Sequence, residues 1–385
     1  MPVRSGSKLR THATPALLAA FAFAGVMALG SDQALANHVA CGDEITADTT
    51  LDSDLVDCPS NGIVIGADDI TLDLDGHRVD GDGTEFAACP ADEFCDTGLL
   101  NDGHDGVTVK DGSVREFGVG VFIGKARHNR VLRISSTKNV FFGFVIARSA
   151  RSLIRDSSGS GNPAPEGDGL GLFDSHHIRI LHNSFRHNGL GIHLGDSPDN
   201  LIRRNRISRN SDFGILIEAD RNRVRRNRCA RNAACIIIAP GSGNVIARNR
   251  VSGGHDGIGV EKGRDNVVAR NVVDHARGNG IYVGLQRPPI GGADNVVRRN
   301  LVRGSGDDGF SVNKKDHHSL LRHNVAKGAG DDGFDIESAS TKLTGNRAVR
   351  NGDLGIEAVR GLIDGGGNAA RHNGDPRQCT HIFCR

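Results

Sequence analysis

An asparagine returns along this chain at a nearly fixed interval: Asn183, Asn205, Asn227, Asn249, Asn271, Asn300, Asn324, Asn346 and Asn368, in steps of 22, 22, 22, 22, 29, 24, 22 and 22 residues. Four of them close a six-residue phrase: Asn200-Leu-Ile-Arg-Arg-Asn205, Asn222-Arg-Val-Arg-Arg-Asn227, Asn244-Val-Ile-Ala-Arg-Asn249 and Asn266-Val-Val-Ala-Arg-Asn271. A second phrase lies between them, a glycine followed by alternating apolar residues: Gly191-Ile-His-Leu, Gly214-Ile-Leu-Ile, Gly257-Ile-Gly-Val, Gly280-Ile-Tyr-Val, Gly309-Phe-Ser-Val and Gly333-Phe-Asp-Ile. Both phrases are too short for an ordinary helix and alternate with period two, so both read as strands. One repeat cannot bury its own apolar face, whereas stacked repeats bury a continuous core. The period therefore predicts an all-β, single-stranded parallel β-helix, a solenoid of ~22–24-residue coils with successive strands ~4.8 Å apart. The asparagines suit an internal ladder, each side-chain amide bonding to the coil above. Leucine-rich repeats share the period, but their leucine consensus is absent.

Composition agrees. Glycine supplies 52 of 385 residues, about twice the usual ~7%, and no Gly-X-Y period makes it collagen. Weaker coils extend the pattern upstream through Ile63-Val-Ile, Ile70 to Gly76, Val107-Thr-Val and Asn139 to Ile146. One domain is expected over residues 37–385, with excursion loops at Asp80 to Asp102, Gly159 to Gly167 and Leu285 to Ala293. Residues 1–36 read as a signal peptide: Arg4, Lys8 and Arg10 precede an apolar run from Ala16 to Leu29 and the small-x-small triplet Ala34-Leu35-Ala36. That run is short of the ~20 residues that span a bilayer, so no membrane span is expected. All eight cysteines lie beyond it, and an even count in an exported chain predicts disulfides. Local clustering favours Cys41–Cys58, Cys89–Cys95, Cys229–Cys235 and Cys379–Cys384, two of which would fasten the ends. A secreted or periplasmic monomer is expected.

The Asn-x-Ile-x-x-Asn and Gly-Ile repeats resemble right-handed parallel β-helix proteins of the pectin-lyase-like superfamily, within it most closely the NosD-type and "carbohydrate-binding and sugar hydrolase" repeats. The resemblance spans nearly the whole chain after the leader. It implies fold more than function, because that superfamily holds lyases, hydrolases, epimerases and non-enzymatic members.

The outward positions carry whatever chemistry exists. With the glycine of each Gly-Ile phrase as zero, positions +1 and +3 face inward, and +2 and +4 face solvent. Early coils present His193 and Glu218; late coils present Asp335, Glu337 and Glu357. The positions before the glycine also turn acidic, so that Gly-Asp-Asp-Gly-Phe occurs at 306–310 and again at 330–334, one coil later. Stacking predicts Asp307, Asp308, Asp331, Asp332 and Asp335 within a small volume, where like charges need a cation or shared protons. Calcium, hard and oxygen-liganded, is the expected guest; turn chemistry before a strand is the alternative.

Asp331-Asp332-Gly-Phe-Asp335, with Asp307 one coil earlier, is similar to the calcium site of family 9 pectate lyases. The resemblance implies calcium bound by Asp307, Asp331, Asp332 and Asp335, with Asp308 adjacent, and β-elimination on a uronate. Where that family has its lysine base, this chain has Arg371; Lys314 and Lys315 are rival bases nearer in sequence. A polygalacturonase-like hydrolase with paired carboxylates is a second enzyme reading, from Gly306-Asp-Asp and Gly254-His-Asp-Gly, although their order along the chain is reversed. A non-catalytic carbohydrate-binding, structural or NosD-like accessory role is the third. His176-His177 and His317-His318 invite copper, but no methionine or cysteine cluster accompanies them. Arg204, Arg226, Arg248, Arg270 and Arg299 form a basic stripe able to touch a polyanion or simply to solvate the outer face.

With 47 Lys+Arg against 46 Asp+Glu, nothing points to nucleic acid. Tyr282 is the sole tyrosine and tryptophan is absent, leaving little for stacking neutral sugars. An acidic polysaccharide, held through calcium and arginine, is the expected partner. No organic cofactor motif occurs.

Overall fold

The computed structural model describes residues 38–84, 96–162, 167–285 and 291–385. No helix occurs among them, and 40 short strands stack in parallel register as a solenoid of about 14 turns of about 22 residues. No helix among the described residues is long and apolar enough to cross a membrane. Each regular coil contributes three strands. The Gly-Ile phrase supplies one, as in Ile192–Gly195, Phe213–Glu218 and Ala234–Ile238, and these build a first face that continues as one 14-stranded sheet. The Asn-phrase supplies the second face, Leu201–Arg203 on Arg223–Arg225 on Val245–Ala247. The third face follows the corner, Arg206–Ser208 on Arg228–Ala230 on Arg250–Ser252.

The interior is apolar in columns. Ile202, Val224, Ile246, Val268, Val297, Leu321 and Leu343 follow one another on the second face, each at most 1% exposed. On the first face Phe310 stacks on Phe334 with ring centroids 4.7 Å apart. Burial at this scale, ~25 cal/mol per Å² of apolar surface, adds to the strand pairing that joins each coil to the next.

The asparagine ladder forms as the spacing requires. The Asn205 backbone N–H donates to Asn227 Oδ1 at 2.9 Å, while Asn227 Nδ2 donates to the Ile202 carbonyl at 3.0 Å and to Asn249 Oδ1 at 3.1 Å. The phrase-opening asparagines form a parallel ladder through Asn200, Asn222, Asn244, Asn266 and Asn295. A third, broken one runs Asn139, Asn162, Asn188, Asn210 and Asn232, then resumes at Asn351 and Asn373. These bonds pay for an unusual corner: the residue before five of the ladder asparagines is left-handed without being glycine, with φ from 55° to 59° at Arg204, Arg226, Arg248, Arg270 and Arg299, a conformation costing roughly 1–2 kcal/mol; Gly345 and Gly367 take the same place before Asn346 and Asn368.

Cys41–Cys58, Cys229–Cys235 and Cys379–Cys384 are disulfides, and no free cysteine remains among the described residues. Cys89–Cys95 and the leader lie outside the described residues. The expected excursion from Asp80 to Asp102 is shorter at both ends. Asp80 sits in the strand Arg78–Gly81, buried, with Arg115 Nε and Nη2 donating to it at 2.8 and 2.6 Å, and Thr97–Asp102 is itself a strand. Gly159 likewise belongs to the strand Ser158–Ser160. Not every outward position is wet: Tyr282, Ser311 and Asn313 are buried. The Tyr282 ring occupies the space a Cβ on Gly259 would need, 2.3 Å from Cζ, so the missing side chain below admits the ring.

Candidate functional site

The two aspartates of each Asp-Asp pair do different work. The second of each pair is a turn acceptor. Asp308 Oδ1 accepts the Asp332 N–H at 3.1 Å, and Asp332 Oδ1 accepts the Leu354 N–H at 2.7 Å. The column begins earlier, since Asp256 Oδ1 accepts the Asn279 N–H at 2.9 Å and Asn279 Oδ1 accepts the Asp308 N–H at 3.2 Å. Asp308 and Asp332 are accordingly buried. The first aspartate of each pair is exposed. Asp307, Asp331 and Asp353 stack on consecutive coils, tied through backbone bonds from Asp331 N to the Asp307 carbonyl and from Asp353 N to the Asp331 carbonyl.

Asp307, Asp308 and Asp331 each offer an oxygen within 4.8 Å of the others, as do Asp331, Asp332 and Asp353. Asp331 belongs to both groups, so the arrangement is one acidic strip. Asp335, half-buried on the strand Phe334–Ile336, pairs in register with Ser311 before it and Glu357 after it. Burial pushes the Asp308 carboxyl up to about 8, and the Asp335 and Asp307 charges add to that push. Burial, then Glu337 and Glu357, lifts Asp335 to about 7. Asp331 is raised by burial and by Asp307, and Asp332 by burial and a hydrogen bond shared with Glu357. Carboxyls so raised at neutral pH need protons or a cation. Both groups are built of aspartate alone, a hard-oxygen donor set that suits calcium and offers copper none of its preferred imidazole or sulfur.

Other candidate residues stand elsewhere. Lys314 and Lys315 are exposed in the turn after Phe310–Val312, at the opposite end of that strand from Asp307. Lys315 lines a concavity of about 740 Å³ with Glu218, Lys262 and His317. Arg371 is exposed on Ala369–Arg371, which pairs with Arg347–Val349 on the third face rather than with the strands below the acidic strip.

Five coils upstream, the first face holds a grouping the sequence did not disclose. His193 Nε2 lies 2.9 Å from Glu218 Oε2, and His193 Nδ1 lies 3.6 Å from Asp168 Oδ2. Asp168 is buried; its other oxygen accepts the Leu190 N–H at 3.2 Å, so it repeats the turn-acceptor role of Asp308. Phe173 meets the imidazole edge-on, with centroids 5.4 Å apart. Burial pushes the imidazole pKa down, but hydrogen bonds and charges from Asp168 and Glu218 outweigh it and the net direction is up. Burial also raises Asp168. An imidazole fixed between two carboxylates can carry a proton. The signal for it was the Asp-Gly before an apolar alternation at 168–169, the same phrase that marks Asp256, Asp308 and Asp332.

The family model for "Right handed beta helix region" matches residues 97–227 and 168–287, and that for "Periplasmic copper-binding protein (NosD)" matches 236–366. Both family models describe β-helix repeats, in agreement with the parallel solenoid of the fold. The copper of the second description finds no fitting donor set in the acidic strip. No curated protein sequence matches. Among solved structures, the chain is similar to the catalytic domain of an α-1,3-glucanase in complex with tetrasaccharides (13% identity, TM-score 0.48), with 74% of this chain covering 64% of that one. It is similar to the A-module of a mannuronan C-5 epimerase from Azotobacter vinelandii (14%, TM-score 0.41, 90% of this chain and 88% of that). An alginate lyase from a Paenibacillus species is a third (13%, TM-score 0.43, 72% and 91%). Identities this low carry no substrate from one β-helix to another.

Proposed function

We propose that this is an exported β-helix protein that engages an acidic polysaccharide through calcium held by its late coils. The observation that carries the reading is the acidic strip: Asp307, Asp331 and Asp353 on consecutive coils, with Asp308 and Asp332 behind them. Calcium bound there would relieve the carboxylate repulsion and leave coordination positions for a uronate carboxylate. Calcium on that carboxylate also acidifies the adjacent C–H, so calcium-assisted β-elimination is the reaction this arrangement favours. Lys314 and Lys315 share the coil of Asp307 but stand at the other end of the strand Phe310–Val312, so neither is assigned as the base for that step. The three disulfides suit an oxidising compartment, and export through the residue 1–36 leader accounts for them.

Calorimetry tests the cation. Calcium should bind the chelator-treated protein, and Asp331→Asn/Asp332→Asn should weaken it by about tenfold or more, as expected when two charged ligands are lost. Equal affinity in the variant would leave only turn chemistry. Uronate polymers with calcium, followed by ultraviolet absorbance of the unsaturated product, test the reaction. Absorbance abolished by chelator supports the lyase, and new reducing ends without absorbance support a hydrolase. Calcium-dependent binding without product makes the protein a carbohydrate-binding module, and no binding defeats the reading.

A further inference from the structure

The middle coils of the second face carry a basic concavity that the cation reading does not use. Residues 201–231 hold ten arginines against Asp212, Glu218 and Asp220. Eight arginines line a concavity of about 910 Å³, and Asp199 is the one acidic residue among its walls. Asp199 is already spoken for by Arg221, whose Nε and Nη2 donate to it at 3.0 and 2.8 Å. None of the other seven lining arginines forms an ion pair among the described residues: Arg203, Arg223, Arg225, Arg226, Arg248, Arg270 and Arg298.

The hollow is built by side-chain size. In register along the solenoid the third outward column reads Arg203, Arg225, Ala247, Ala269, Arg298. The first reads Leu201, Arg223, Val245, Val267, Val296. At the neighbouring turn Gly243 follows Arg221, its Cβ position 3.5 Å from Arg221 Cγ. Three columns therefore drop from arginine to a small residue at the same coil. The corner column Arg204, Arg226, Arg248, Arg270, Arg299 runs past the dip unbroken. The result is a trough with an Ala/Val floor and guanidinium walls, about 14 Å from Arg225 to Arg298 at ~4.8 Å per coil. Its donors lack partners: Arg225 Nε is buried with no hydrogen-bond acceptor. The mutual repulsion shows in Arg203, whose guanidinium is pulled below its usual range by Arg204, burial and Arg226.

We propose that this trough binds a linear acidic polysaccharide, its carboxylate or sulfate groups taken by the guanidinium walls and its chain running along the solenoid axis. Arginine forks match such oxyanions in bidentate geometry. Single-stranded nucleic acid fits less well, because no Phe, Tyr or Trp lines the trough for base stacking and His177 at its edge is the one aromatic ring among the lining residues. The site needs no metal, so it stands or falls separately from the calcium strip although both address the same class of polymer.

The test is binding of polygalacturonate and heparin to the full chain in chelator, with neutral dextran and single-stranded DNA alongside. The acidic polysaccharides should bind, more weakly as salt rises. Arg225→Gln/Arg226→Gln/Arg248→Gln should weaken them by about tenfold or more and flatten the salt dependence, in line with loss of three charge contacts. Ala247→Arg should also weaken binding, because it fills the trough despite adding charge. Asp331→Asn/Asp332→Asn should leave chelator-resistant binding unchanged. Failure of both acidic polymers to bind at low salt, unchanged binding in the triple variant, tighter binding in Ala247→Arg, or DNA binding as tight as polysaccharide would each overturn the proposal. Thermal melts of each variant separate lost binding from lost folding.

Discussion

The acidic strip on the late coils of the first face and the arginine trough on the middle coils of the second face sit on one and the same scaffold. Beneath the trough, Asn205, Asn227 and Asn249 pass hydrogen bonds along the axis; in the acidic coils, Asn324, Asn346 and Asn368 do the same at nearly the same distances. The interiors are interchangeable and the exteriors are opposite in charge. A repeat protein can vary its outward columns coil by coil because each contributes little to folding, while any change to an inward column is felt through the stack.

The largest effects should therefore come from the ladder and be blind to the surface above it. Asn227→Ala removes the acceptor of the Asn205 N–H and the donors to Ile202 and Asn249. Asn346→Ala removes the equivalent bonds to Asn324, Leu321 and Asn368. Each leaves buried polar groups unpaired, at roughly 3–5 kcal/mol in all. Denaturant unfolding should give similar losses for the two. A loss at one position below half that at the other would break the equivalence of the coils.

Smaller effects should come from the crowded carboxyls of the late coils. In chelator, Asp308 and Asp335 keep protons that the unfolded chain, with ordinary carboxyls near 3.9, has already released. The native state then binds more protons than the unfolded state, so stability falls as pH rises. The fall begins near pH 4 and is complete once pH passes the native values of about 7 and about 8. Melting temperature in chelator should be higher at pH 5 than at pH 8, and calcium should recover much of the difference at pH 8. Asp335→Asn should flatten that profile and raise stability at pH 8 by about 1 kcal/mol, as for relief of partly buried like-charge repulsion. A flat profile in the parent would mean that these carboxyls are not crowded in solution.

Most of the scaffold was legible because a ladder needs the same residue at the same phase of every coil. Asn205, Asn227 and Asn249 announce their own stacking. The third asparagine column was not legible, since Asn232 and Asn351 are separated by coils in which Ala276, Ser305 and Ala329 are buried instead. The division of labour within Asp307-Asp308 and Asp331-Asp332 was hidden too. Both residues of a pair look alike in sequence, and only the turn geometry shows which carboxylate caps the next coil and which faces out. The trough was half visible. The arginine stripe could be read, but the dip comes from small residues, Gly243, Val245 and Ala247, whose meaning depends on knowing which columns align.

The smallest and most local effect concerns His193, which lies on the acidic strip's sheet but carries its own base-pairing carboxylates. Its pKa is raised because Asp168 and Glu218 together outweigh burial. A histidine raised in this way stabilises the fold below the unfolded value near 6.5, and that contribution disappears as pH climbs through the folded value. NMR titration of the imidazole should thus place its midpoint above 6.5. Glu218→Gln removes the charge 2.9 Å from Nε2 and should lower that midpoint while leaving the solenoid intact. Asp168→Asn should lower it as well and should additionally cost stability, because Asp168 also accepts the Leu190 N–H and an amide is a weaker acceptor than a carboxylate. If Glu218→Gln leaves the titration unmoved, the imidazole is governed by Asp168 alone and the grouping is a turn acceptor with a surface histidine beside it, not a proton-carrying centre.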